Sequence, residues 1–527
     1  MAQSSSPIQE ETANGVSKWL VATAVMFGAF MAVMDISVVN VALPYMMGNF
    51  GQTLSAITWV ATAYSIAAVI MLTMSGWWVT LVGRKNFYLA SFAIFTFGSI
   101  LAATAHNFTS MLIYRIIQGI GGGSLIPISQ AILRESFPKK EQGMAMAIFS
   151  MGVVLAPAFG PVLGGWLTDN YGWPWIFYIN IPVSLLGMFL VWLYVHDPAY
   201  LRRGIKKIDW GGIVLLTLGL TGLQTVLERG QQESWFDSPM IIIFSIVTVV
   251  SLVTLVVWEL LQSEPVVNFR LLKNIQLRMG VIIVLVFGIA LYGTTFILPQ
   301  FTQQLLGYPA FQAGLILMPR AVTLFFVLPL VGRIFNFIDS RAMMVTGIVV
   351  VSLSYWQLAH LSLSASDMSI IPILILMGLG MPFMFVTLTT VAVSSISKEE
   401  MTSASGIYNL FQQVGGNVGY ALIVTVIERQ SQVHHACLVE HISLLNKNFT
   451  VFYHQAQALF VRQGVAGVDV KPKMLALVQH MVNRQADMMA YNDTSIVLMI
   501  MFIVLLPLVM LFPVIKSPKE AVVVTEV

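Results

Sequence analysis

The stretch "FMAVMDISVVNVALP", residues 30–44, places one carboxylate, Asp35, in an almost wholly apolar run. Runs of this kind recur along the chain. Hydrophobic residues make up 57% of the 527 and charged residues only 10%. A soluble domain carries roughly 25% charged residues. The composition is that of a polytopic membrane protein, and the lipid bilayer is its first partner. A net charge of +3 is too small to argue for nucleic acid. The chain has no Gly-rich phosphate loop and no paired-Cys metal motif. Its single cysteine, Cys437, excludes an internal disulfide framework. Residues 1–17 are polar, with no basic n-region before a cleavage site, so no removable signal peptide is expected.

A membrane-crossing helix needs about 20 apolar residues. Fourteen such segments fit: 19–44, 56–75, 87–105, 110–133, 144–167, 174–195, 210–228, 239–260, 279–300, 310–332, 342–361, 370–395, 403–427 and 494–515. With the N-terminus in the cytoplasm, the inner segments hold 18 of the 27 Lys and Arg residues, and the short outer loops hold one, Arg229. That asymmetry follows the positive-inside rule and predicts that both termini are cytoplasmic. Shifting the count by one helix would invert it.

Asp35 lies about nine residues from the outer end of the first span, roughly 13 Å deep, and Arg115 of the fourth span is roughly 8 Å deep. The difference is within reach of a long side chain. An unpaired charge at mid-helix costs ~3 kcal/mol on the insertion scale, so both should face protein or a wet cavity. Two readings stand: a static ion pair, or a proton-exchange site in which proton and cation alternate on the acid. Arg320, in "LILMPRAV" of the tenth span, has no evident carboxylate partner. It is either satisfied by helix-end carbonyls near Pro319 or functional. In "GVVLAPAFGPVLGG" (152–165), Gly160, Gly164 and Gly165 form a small-residue face for close packing. Pro157 and Pro161 there predict a kink.

These stretches resemble the major facilitator superfamily, in particular its fourteen-helix drug:proton antiporters of the EmrB/QacA type. "DISVVNVALP" (35–44), "YRIIQGIGGG" (114–123), "APAFGPVLGG" (156–165) and "GWPWIFYINIP" (172–182) look like that family's motifs, in order and on the matching helices. Ala156 replaces the first Gly of the third. The resemblance implies two six-helix halves, 19–195 and 266–515, with an inserted pair of helices in 196–265 and tails at 1–18 and 516–527. It also implies a proton-transfer role for Arg115. The loop "GWWVTLVGRK" (76–85) matches the family pattern at Gly76, Gly83, Arg84 and Lys85, but Thr80 stands where an acid is usual. That puts the acid's conformational latch in doubt.

Residues 428–493 read as an outer helical hairpin. In 473–489, Met474, Leu477, Val478, Met481, Val482, Met488 and Met489 are placed on one helical face. His434, His435, Cys437 and His441 lack a standard metal-ligand spacing, so no metal is expected. The EmrB branch has a similar loop, which implies docking of a periplasmic adaptor protein and an outer-membrane channel. Candidate residues for a substrate cavity are Trp59, Tyr64, Gln118, Gln224, Tyr292, Asn409 and Gln413.

The expected function is proton-coupled efflux of hydrophobic or amphipathic compounds across the bacterial inner membrane, with protons as the coupling ion and no cofactor. The same fold would also suit export of one metabolite, fatty acid or siderophore. No nucleophile–base pair or zinc motif in the spans supports an enzyme, and the short tails do not support a sensor.

Overall fold

The computed structural model describes residues 17–138, 141–197, 208–442, 446–462 and 467–510. Much of both tails, and the basic residues Lys139, Lys140, Arg202, Arg203, Lys206, Lys207, Lys516 and Lys519, lie outside them. The described residues are helical with no strand. In chain order the helices are α1 (Lys18–Phe50), α2 (Leu54–Ile57), α3 (Trp59–Val82), α4 (Arg84–Ala103), α5 (Phe108–Ser136), α6 (Gln142–Tyr171), α7 (Trp175–Tyr178), α8 (Asn180–Tyr194), α9 (Trp210–Arg229) and α10 (Pro239–Leu261). They continue as α11 (Ile275–Gln300), α12 (Ala310–Ile334), α13 (Ser340–Leu358), α14 (Asp367–Val391), α15 (Met401–Glu440), α16 (Lys447–Arg462) and α17 (Gly467–Met510). Among the described residues thirteen helices are long and apolar enough to cross a membrane, and α6, bent by 42° between Pro157 and Val162, makes a fourteenth. Missing backbone donors at the two prolines account for that bend.

The packing repeats. In the first half α1 lies on α6 and α8, α5 on α3 and α4, and α4 on α8. In the second half α11 lies on α15 and α17, α14 on α12 and α13, and α13 on α17. The halves meet along α6 with α12 and along α3 with α15. α9 packs on α10, α3 and α15. α10 is outermost, with Ile243, Val249, Val253 and Val257 exposed to the apolar surroundings.

Four helices overrun, by six residues or more, the apolar segments that announce them. α1 continues to Phe50, α3 to Val82 and α15 to Glu440, and α17 begins at Gly467 rather than near 494. A helix satisfies its own backbone hydrogen bonds in lipid or water, and 428–440 contains no Gly or Pro to stop it. The segment 428–493 is therefore two span extensions with α16 between them. Met474 is buried beside α16, and Val482 and Met488 are buried, but Met481 is 48% exposed and so falls off the expected face. His434 of α15 meets Asp493 of α17 at 2.7 Å, and Ser431 donates to Asp487.

The glycines of α6 divide. A Cβ on Gly160 would collide with the Ser37 side chain of α1, and one on Gly164 would stand 3.0 Å from the Val38 carbonyl oxygen. Gly165 has nothing within 4 Å of that position, so it does not belong to the packing face. The side chain of Pro161 lies outside the described residues.

Candidate functional site

Asp35 and Arg115 meet. Arg115 Nη1 donates to Asp35 Oδ2 at 2.6 Å, and both side chains are fully buried. Helices α3, α4, α5, α7 and α8 build the cluster around them. Gln118, one turn after Arg115 on α5, donates Nε2 to Asp35 Oδ1 at 2.8 Å. Asn180 at the start of α8 donates Nδ2 to the same oxygen at 2.9 Å. Ser99 Oγ on α4 accepts from Gln118 at 2.8 Å. Arg115 Nε donates to the Val60 carbonyl of α3 at 3.1 Å, and the guanidinium lies 4.4 Å from the centre of the Tyr64 ring and 5.6 Å from that of Phe177.

The arrangement has a chemical direction. Three donors and no acceptor face the Asp35 carboxylate. A proton arriving on either oxygen has to displace a donor, Arg115 from Oδ2 or the two amides from Oδ1. Arg115 Nη2 has no hydrogen-bond partner among the described residues. Asp35 is 1% exposed, so a proton reaches it only after the helices move.

The seven cavity candidates separate into three places. Tyr64 (1% exposed) and Gln118 (0%) belong to the charge cluster rather than to an open wall. Their polar groups are committed: Tyr64 donates to the Ala32 carbonyl, and Gln118 is hydrogen-bonded as above. Asn409 is also buried, donating 2.7 Å to Gln130 of α5 where the halves meet. The other four lie together toward the hairpin end. Gln224 joins Glu228 and Asn417, Tyr292 donates to Gln413 at 3.2 Å, and Trp59 stacks on Arg229 with 4.9 Å from cation to ring centre.

Arg320 of α12 is half-buried near Tyr355 of α13, with no carboxylate partner among the described residues. α12 runs unbroken through Pro319, so there is no helix end at that point to offer carbonyls. His434, His435 and His441 go separate ways: to Asp493, to Gln479 at 3.0 Å, and to the Cys437 carbonyl at 2.9 Å.

The motif-bearing corner between α3 and α4 is tied within its own half. Gly83 turns the chain at φ +89°, which favours glycine. Arg84 pairs with Glu135 of α5, and Lys85 donates its N–H to Asp197 at 2.7 Å and its ammonium to the Trp192 carbonyl at 2.6 Å. Thr80 is exposed, and its hydroxyl donates to the Trp77 carbonyl of its own helix at 2.7 Å. Contact between halves comes instead from Gly76, where a Cβ would stand 2.7 Å from Ser403 Cα of α15. Gly143 of α6 likewise faces Gly332 and Phe335 of α12, and Gly406 faces Leu72 of α3. These approaches lie at the end of the bundle that carries Arg84, Arg134 and Arg333, the basic end, and they close it.

Sequence reasoning missed Asn180, Ser99 and Glu228. Asn180 was inside a quoted motif, and an amide within "WIFYINIPVSLL" was the available signal. Ser99 gave none. Glu228, next to Arg229 at a span end, gives no signal of its own.

A family model described as Major Facilitator Superfamily matches residues 25–420. The chain is 34% identical to "Multidrug export protein EmrB" of Haemophilus influenzae, over 83% of this chain and 86% of that one. It is 31% identical to "Fatty acid resistance protein FarB" of Neisseria gonorrhoeae, over 92% and 93%. Among solved structures, the human organic anion transporter MFSD10 superposes with a TM-score of 0.60 at 13% identity, over 92% of this chain and 99% of that one, a likeness of fold.

Proposed function

The chain belongs to the major facilitator superfamily, and on that premise we propose that it exchanges protons for hydrophobic or amphipathic compounds by alternating access. One observation carries this reading: the buried Asp35–Arg115 pair, held by Gln118 and Asn180, in a half that contacts the other through glycines. A buried ion pair is weak evidence for stability, because the cost of taking both charges out of water offsets their attraction. Its use is better sought in the cycle. Asp35 carries the proton in one state and, deprotonated, pairs with Arg115 in the other.

The multidrug relatives support a hydrophobic cargo. A second reading, an acidic amphiphile, is favoured by Arg320, an intramembrane guanidinium without a carboxylate, and by the fatty-acid-resistance relative. Purified protein in vesicles with an acidic lumen tests both. Ethidium or an alkyl sulfonate added outside should collapse the pH gradient faster than in protein-free vesicles. Uptake of either probe that persists at the same rate without a gradient sinks proton coupling.

The membrane is the bacterial inner membrane, with both termini cytoplasmic, as the placement of Lys and Arg supports. The hairpin is the docking surface for a periplasmic adaptor, which hands cargo to an outer-membrane channel. It exposes Val451, Leu459, Val461 and Leu475. Replacing 436–480 by a short Gly/Ser linker cuts both helices beyond the His434–Asp493 clasp. Vesicle exchange should stay within about two-fold of native, since no cluster residue is touched, while adaptor pull-down is lost. Retained pull-down places docking elsewhere.

A further inference from the structure

The inserted helix α9 has no part in the exchange as described so far, yet it lies between helices of opposite halves. On one side it grips the first turn of α3. Arg229 donates to Thr58 Oγ1 at 2.7 Å and stacks on Trp59, and Glu228 sits beside the Thr62 hydroxyl. The same turn presents the Val60 carbonyl to Arg115, and the Tyr64 ring follows one turn on. One turn of α3 is thus held between the charge cluster and α9.

On its other side α9 reaches α15. Gln224, 3% exposed, donates its amide to Glu228 and accepts from Asn417 Nδ2 of α15. Just past the helix, Gln231 accepts from Thr425 at 2.9 Å and donates to Glu428. Asn417 is linked onward through Gln413, at 3.5 Å, to Tyr292 of α11. The anchor on α3 includes a guanidinium with a hydroxyl and an aromatic partner. The link from Gln224 to α15 is between two neutral amides.

We propose that α9 is a strap between the halves, anchored on α3, whose Gln224–Asn417 bond holds the state in which the basic end is closed and releases when the halves rock. Gln224 and Asn417 are then positioning residues for the exchange, and Glu228 fixes the rotamer of Gln224. A hydrogen bond survives only a few tenths of an ångström of stretch, so rotation of one half against the other breaks it. The proposal rests on the alternating-access reading above.

The test uses the full chain in vesicles, with Cys437→Ser and a reporter Ala147→Cys. Ala147 is fully buried against Gly332 at the closed basic end, so maleimide labelling reports opening there. Gln224→Leu and Asn417→Leu should each raise the labelling rate about five-fold, the weight of one neutral hydrogen bond. The double variant should match the singles, because both remove the same bond. Asn417→Ser, which falls short of Gln224 without adding bulk, should match them too and stands in if a leucine variant fails to insert. Native labelling in the Asn417 variants, or additive increases in the double, overturns the strap. The two readings fail separately. A labelling shift with gradient-driven exchange intact in Asp35→Asn keeps the strap and removes the exchange site. Loss of exchange in Asp35→Asn with native labelling does the reverse.

Discussion

Asp35→Asn should abolish gradient-driven exchange while leaving an inserted protein that still equilibrates cargo down its own gradient. The substitution preserves volume and removes the titrating group. Its oxygen can still accept from Arg115, but its new amide would face the donors of Gln118 and Asn180. Those amides can turn their oxygens inward, at the cost of the Gln118–Arg115 bond. The guanidinium is then buried without a counter-charge, a loss of ~3 kcal/mol, which corresponds to about 100-fold in rate. Arg115→Lys should be milder, about ten-fold, because an ammonium cannot meet Val60, Asp35 and Gln118 in the planar arrangement that the guanidinium uses. Counterflow of labelled cargo, which needs no net proton movement, separates coupling from folding. Native gradient-driven efflux in Asp35→Asn would make the cluster a static support.

What could be read from the sequence follows from what each residue costs. A carboxylate or guanidinium in lipid is expensive wherever it is, so Asp35 and Arg115 stand out without coordinates, and their similar depths suggest a pair. Amides and hydroxyls are cheaper and pack between helices for many reasons. Ser99 is therefore invisible as a member of the cluster, Asn180 shows only as one amide in an apolar stretch, and Tyr64, Gln118 and Asn409 read as cavity residues although they are buried. Span number was legible from hydropathy and basic residues. Helix ends were not, because leaving the membrane does not end a helix that is hydrogen-bonded within itself. α15 and α17 show this directly. The inserted pair read as a simple addition. Only the contacts of α9 reveal that it touches both halves.

The corner at Thr80 leads to the other large effect. An acid is usual there, and this chain has a hydroxyl bonded to its own helix. Closure of the basic end then depends on backbone proximity, and Gly76 is the tightest point between α3 and α15 that involves backbone on both sides. A Cβ there would stand 2.7 Å from Ser403 Cα and 2.8 Å from Ser403 Cβ. Turning a side chain does not relieve contact with a backbone carbon. Gly76→Leu should therefore prop α3 from α15, hold the basic end open and cut turnover about 100-fold, with insertion unaffected because the helix stays whole. Gly76→Ala should lose less. Ser403→Gly should rescue the alanine variant in part, removing the Cβ and hydroxyl conflicts but leaving the one with Cα. A cysteine at Ala147 reports the state: labelling should rise in Gly76→Leu and fall back toward native in Gly76→Ala with Ser403→Gly. Native turnover and native labelling in Gly76→Leu would show that the two helices part at little cost, and that closure is carried by the side-chain bond of Asn409 with Gln130 instead.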